Sequence, residues 1–239
     1  MLKIKFFMSM ILVIMMAVPS IAGKVKTAKH KDNILTDLRY EYALNVPKNW
    51  KVKTFKEKPE EPEVLRALLL QKNYQINQEA RDLDADFTRP EIQIYVYPET
   101  VSADDFMEQL KSDVESHNSK HKLINQMNLI LSGEYVGKQK VELGGAPAIQ
   151  VFFKRQWKRI MQGDSYDPRY REHGGRIVRN VHDVHEVYIL NHNDCLYVIQ
   201  AIAENEFYST VRDEFAQIIS SIKFEDVVSL EPVQLEQDK

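Results

Sequence analysis

VHDVHEVYILNHNDCLYVIQAIA, residues 181–203, is the stretch that decides how this chain folds. Val181 to Leu190 reads as a strand, Asn191-His192-Asn193-Asp194 is a run of turn-forming residues, and Cys195 to Ala203 returns as a second strand. Asn and Asp tolerate the backbone of a tight turn, so the two strands pair back as an antiparallel hairpin. Directly downstream, Val211, Phe215, Ile218, Ile219 and Ile222 recur at helical spacing and predict a helix over 210–222 with one apolar side. Such a helix has a sheet to lie on. Phe224 closes the ordered part.

Upstream, more strands gather around that hairpin. Tyr40, Tyr42, Leu44 and Val46 alternate and share one face until Pro47; Trp50, Val52 and Thr54 begin a second extended piece. Glu57 to Glu63 is a proline-and-charge loop, and Val64 to Leu70 is apolar enough for a strand covered on both faces. A polar stretch, 73–90, leads to the strand Glu91–Tyr97, which Pro98 ends. Ser102 with Asp105 forms a capping-box signature, and Phe106, Met107, Leu110 and Val114 give the following helix one apolar stripe. Met127–Tyr135 and Gln139–Leu143 read as strands, Gly144-Gly145 as a turn, and Ala148–Trp157 as the next strand. Residues 158–180, with Gly163, Pro168 and Gly174-Gly175, break the pattern and read as a long excursion. Connections of hairpin length dominate. The expected fold class is α+β, a central, mainly antiparallel sheet flanked by helices.

The chain has 239 residues, 44% of them hydrophobic and 28% charged, which supports a sizeable core and excludes a disordered chain. Its net charge of -3 carries no global field toward nucleic acid or anionic lipid. Residues 1–22 have the layout of a secretory leader: Lys3 and Lys5, an apolar run from Phe6 to Val18, then Pro19 and Ser20-Ile21-Ala22. The run falls short of the roughly 20 residues that span a bilayer, which favours cleavage over an anchor. Without the leader's two lysines the net charge moves from -3 to -5. Residues 23–38 read as a flexible lead-in, 39–226 as the folded domain and 227–239 as an acidic tail. The expected location is periplasmic or secreted, with no membrane span after leader cleavage. Cys195 is the single cysteine, so no internal disulfide forms, and its apolar neighbours make it a small core hydrophobe rather than a reactive thiol.

In its order of elements the chain resembles the PsbP-like family, the α/β/α sandwich shared by PsbP, the Ran-binding Mog proteins and many exported bacterial proteins. The likeness rests on Tyr42-Ala43-Leu44-Asn45-Val46-Pro47-Lys48-Asn49-Trp50, on Ser102-Ala103-Asp104-Asp105-Phe106, and on Leu143-Gly144-Gly145-Ala146-Pro147-Ala148. It rests also on Leu196-Tyr197-Val198-Ile199 followed by Phe215 to Phe224. It covers about 39–224 and implies the sandwich fold. The same fold serves photosystem accessory subunits and a small-GTPase binder, so fold does not carry function here. The resemblance implies a protein that is not an enzyme, and it permits metal retention. Segment 158–180 is a departure from the compact members.

That departure is the strongest functional candidate. Arg155, Trp157, Lys158, Arg159, Tyr166, Arg169, Tyr170, Arg171, Arg176 and Arg179 bring arginine and aromatic side chains together, the chemistry enriched at protein interfaces and in carboxylate or phosphate recognition. The expected function is a non-catalytic exported accessory or binding protein. Its expected partner is another envelope protein or an anionic ligand; export argues against nucleic acid. The alternatives are a small hydrolase with an unrecognised pocket and a metal-binding protein. No cofactor is expected. His182 and His185 are an odd number apart, so on a strand they point to opposite faces and cannot chelate together with His192 without a bulge. Asp82, Asp84 and Asp86 begin like a calcium loop, but Phe87 stands where glycine is required and Gln93 where glutamate is. Ser132-Gly133 and Ser220-Ser221 lack the strained elbow of a nucleophilic serine.

Overall fold

A computed structural model describes residues 25–57, 63–72, 89–98, 101–127, 130–162 and 176–224, with backbone only at 157, 159–162 and 176–179. The leader, the Asp82-Asp84-Asp86 stretch and the acidic tail lie outside the described residues. Strands β1 (Ala28–Lys31), β2 (Ile34–Asp37), β3 (Tyr42–Asn45), β4 (Trp50–Thr54), β5 (Leu65–Gln71) and β6 (Glu91–Tyr97) come first. Helices α1 (Ala103–Glu115) and α2 (Lys122–Gln126) follow, with a 3-10 turn at Ile130–Ser132. The chain continues through β7 (Glu134–Leu143), β8 (Ala146–Gln162), β9 (Arg176–His192), β10 (Cys195–Glu204), α3 (Asn205–Ser220) and β11 (Lys223–Phe224).

The hairpin of β9 and β10 lies inside a seven-stranded sheet of order β4-β5-β6-β10-β9-β8-β7. Its turn residues Asn193 and Asp194 take φ of 46° and 56°, the left-handed backbone that a two-residue hairpin turn requires. A second sheet has the order β1-β2-β3-β11. Every strand pairing among the described residues is antiparallel.

Both faces of the large sheet are apolar. Ile92, Ile94, Val96, Tyr188, Leu190, Tyr197 and Ile199 pack with Val211, Phe215, Ile218 and Ile219 of α3, and with Leu35, Tyr42 and Leu44 of the second sheet. On the reverse, Tyr95, Val151, Phe153, Val187, Ile189, Leu196 and Val198 meet Phe106, Met107, Leu110 and Val114 of α1 and Leu123 and Ile124 of α2. Strand β10 feeds alternate residues to both cores, which is why its sequence is continuously apolar. Ser102 caps α1 as expected, its Oγ accepting from the Asp105 amide at 3.0 Å. Among the described residues no helix is long and apolar enough to cross a membrane.

The structure corrects four expectations. The lead-in holds a hairpin, β1 with β2, turning at Asp32 and Asn33 with φ of 53° and 63°. Only Ala28 and Leu35 of its apolar residues are buried, while Val25, Ile34 and Leu38 are exposed, so no regular apolar period marks it. The strand expected over Met127–Tyr135 begins only at Glu134, the start of β7; Ile130–Ser132 is a 3-10 turn, and Met127 and Ile130 pack with Leu123 and Ile124 beside α1. The helix expected over 210–222 begins earlier, at Asn205. The sandwich of helices holds in part: α1 and α3 lie on opposite faces of the large sheet, but the α3 side is shared with the second sheet.

Gly144 is the turn position with least freedom. Its φ is +60°, and a Cβ there would stand 2.8 Å from Phe224 Cδ2. Gly144→Ala is expected to cost about 1–2 kcal/mol through left-handed strain alone, with the crowding added. Urea unfolding of the variant measures it.

Candidate interaction surface

Strands β8 and β9 outrun their neighbours. β7 pairs with β8 only as far as Glu134↔Lys154, and β10 pairs with β9 only as far as Glu204↔Asp183. Both neighbours leave at the same level: the 3-10 turn and Gly133 precede β7, and α3 begins one residue after β10. The excursion expected from 158 onward therefore begins later than the sequence suggested, since the β8–β9 ladder continues through Lys158↔Asn180 to Gln162↔Arg176. Residues 155–162 and 176–182 form a two-stranded ribbon with no third strand among the described residues. At about 3.4 Å per residue it is roughly 25 Å long.

Those fifteen residues hold Arg155, Lys158, Arg159, Arg176 and Arg179 and no carboxylate. The register sets Arg159 directly opposite Arg179 and Trp157 opposite Val181. Like charges facing each other across an antiparallel pair are unfavourable. An anion beside them removes that cost.

The ribbon is rooted in buried polar contacts. Arg155, 7% exposed, donates from Nε to Asp183 Oδ2 at 3.0 Å and from Nη2 to the same oxygen. Two residue pairs closer to the sheet centre Phe153 faces His185, which is fully buried. His185 Nδ1 lies 2.9 Å from Gln200 Nε2, and its Nε2 has no hydrogen-bond partner among the described residues. Burial and, second, the Arg155 charge push its pKa down to about 3. Arg155 thus belongs to the interior and not to a free binding surface.

Of the other expected site residues, Lys158 is exposed on the ribbon, while Trp157, Arg159, Arg176 and Arg179 are placed on it by backbone register. Tyr166, Arg169, Tyr170 and Arg171 lie outside the described residues. His182 is exposed and His185 buried, as strand alternation requires. The His192 ring packs on Phe224, centroids 4.4 Å apart, well away from a shared site with the other two. Among the described residues no three His, Cys, Asp or Glu side chains gather as a metal site. Cys195 is half-buried, and burial with the nearby Asp194 charge raises its thiol pKa, which makes it less reactive.

Sequence reasoning missed a second polar group, on the α3 face. Glu186 accepts from Tyr188 Oη at 2.5 Å, from Tyr208 Oη at 2.8 Å and from Gln150 Nε2. Burial and Glu186 itself raise the pKa of both tyrosines. The i, i+2 spacing of Glu186 and Tyr188 was visible, but Gln150 and Tyr208 arrive from distant elements. Both carboxylate oxygens are engaged, so the group fastens the start of α3 to the sheet. A wide depression of about 510 Å³ is lined by His117, Asn125, Met127, Ile130, Leu131 and Ser132. Its histidine is held by the Leu131 carbonyl at 2.9 Å from Nδ1, and no carboxylate stands among those residues.

Comparison of the sequence with protein-family models and with curated proteins returns no match. Solved structures do match. The solution structure of cyanobacterial PsbP from Synechocystis shares 12% identity and a TM-score of 0.43, over 87% of this chain and 99% of that one. The Saccharomyces cerevisiae Ran-binding protein Mog1p shares 13% and 0.43, over 83% and 97%. LpqN of Mycobacterium tuberculosis, involved in cell envelope biogenesis, shares 12% and 0.41, over 76% and 82%. At 12–13% identity and TM-scores of 0.41–0.43, these matches carry nothing about what this chain binds or does.

Proposed function

We propose that this protein is an exported, non-catalytic binding or accessory protein, and that its basic β-ribbon engages an anionic partner. One observation carries the reading: past the inward-held Arg155, fourteen paired residues with four Arg or Lys and no carboxylate continue beyond the neighbouring strands, on a chain whose net charge is -3. Electrostatic complementarity of that kind steers association and fixes register. The leader-like residues 1–22 support export. A partner carrying acidic groups, another envelope protein first, fits the surface.

The test is the triple variant Lys158→Glu, Arg159→Glu, Arg179→Glu. Arg155 stays, because a glutamate there would face Asp183 in the interior. Retention on heparin and capture of partners from an envelope extract are expected to weaken about tenfold or more, and to become less salt-sensitive. An unchanged thermal midpoint shows that the fold is intact. Unchanged retention and capture overturn the proposal.

A further inference from the structure

We infer that the ribbon takes its partner by strand addition: an extended acidic segment of another protein pairs along the outer edge of β8 at residues 156–162, continuing the line of β7. This rests on reading the ribbon as the binding surface and adds how the partner is held. A strand edge presents a row of backbone N–H and C=O groups, a template for a further strand. Past Lys154 no strand among the described residues occupies the β8 edge. The sheet order makes β7 the outermost strand, so no further strand among the described residues lies beyond its continued line, whereas the other edge of β9 lies on the side of β10 and β6.

The strand edge and its charge favour the same occupant. A two-stranded ribbon is marginally stable by itself, and a third strand extends the sheet over it. Alternate residues of the added strand project on the same face as Arg159 and Arg179, which stand opposite each other. Carboxylates at every second position therefore relieve the like-charge pair and leave the other positions free for apolar side chains. A lipid surface neutralises the charge but supplies no backbone partner to the edge. A second copy of the ribbon brings more positive charge to it.

The experiment uses the full chain and a fluorescent peptide of about eight residues, a usual strand length, alternating glutamate and valine. The same peptide N-methylated at every amide cannot donate to a neighbouring strand from either edge. Vesicles of phosphatidylglycerol form the third probe. The expected result is saturable peptide binding, at least tenfold weaker after N-methylation, with slower amide exchange at 156–162 in the bound protein. Equal binding of both peptides overturns strand addition and leaves the anionic reading standing. Vesicle binding without peptide binding overturns it in favour of a membrane surface. Binding of neither probe, or binding that ignores Lys158→Glu, Arg159→Glu, Arg179→Glu, overturns this inference and the proposed function together.

Discussion

Replacing Arg66 with methionine is expected to lower the unfolding free energy by about 3–5 kcal/mol, the usual cost of removing one partner from a buried ion pair. Arg66 is 1% exposed, and a bulge between Leu65 and Ala67 turns it out of the regular alternation. Its Nε donates to Asp37 Oδ2 at 2.8 Å, its Nη1 to Glu57 Oε2 at 2.5 Å, and its Nη2 to Glu57 Oε1 at 3.0 Å. Nη2 also reaches Thr27 Oγ1, and the guanidinium stands 4.8 Å from the Tyr40 ring centroid. One side chain thereby joins β5 of the large sheet to β2 of the small one. Burial pushes the Glu57 pKa up, but hydrogen bonding and charge from Arg66, with Thr27 and Arg39, hold it below the ordinary value. Methionine would leave the buried Asp37 and Glu57 carboxylates without the guanidinium that neutralises them. Urea titration of Arg66→Met checks the loss, and a change under about 1 kcal/mol, the scale of an exposed pair, refutes the account. Adding Asp37→Asn and Glu57→Gln is expected to restore part of the stability, because the uncompensated charges are gone.

Acid should weaken the fold through His185. In the unfolded chain this histidine titrates near its ordinary 6.5, and in the folded protein near 3. Between those values the unfolded state binds a proton that the folded state refuses, so stability rises with pH there and falls as pH drops through 6.5. The contribution is complete above 6.5, and each unit of difference is worth about 1.4 kcal/mol. Lowering the pH from 7 to 5 is therefore expected to cost about 2 kcal/mol from this residue. Glu57 does not confuse the reading, because a lowered carboxylate loses its contribution only below its ordinary 4.5. His185→Gln, whose side chain can still meet Gln200, should flatten the slope between pH 5 and 7 whatever its stability at neutral pH. A slope equal to the parent's would exclude His185 as its source.

The sheet was legible where its strands are long and both-sided or bounded by strong turn residues. Glu91–Tyr97 was read to the residue, and the Asn193-Asp194 turn was placed between the right strands. The first helix was fixed by its Ser102 cap and by Phe106, Met107, Leu110 and Val114. The β1–β2 hairpin was not legible, since its stability comes from Asp37 meeting an arginine 29 residues away. The candidate surface was half legible. Its arginines were visible, but Arg155 was counted among them although Asp183 holds it in the interior, and only cross-strand register brings Arg159 to Arg179.

Sequence alone determined the local matters: the strand Glu91–Tyr97 and the β9–β10 hairpin turn, where α1 is capped, which face of α1 and α3 is apolar, and that 154–180 carries a basic stretch. Period, cap and turn chemistry are short-range and are written in neighbouring residues. Tertiary structure alone decided that a second sheet shares one face with α3, that Arg66 and Arg155 serve as buried anchors, and that β8 and β9 stay paired past the ends of the neighbouring described strands. Those outcomes depend on where separate strands begin and end against one another, which no single stretch of sequence encodes.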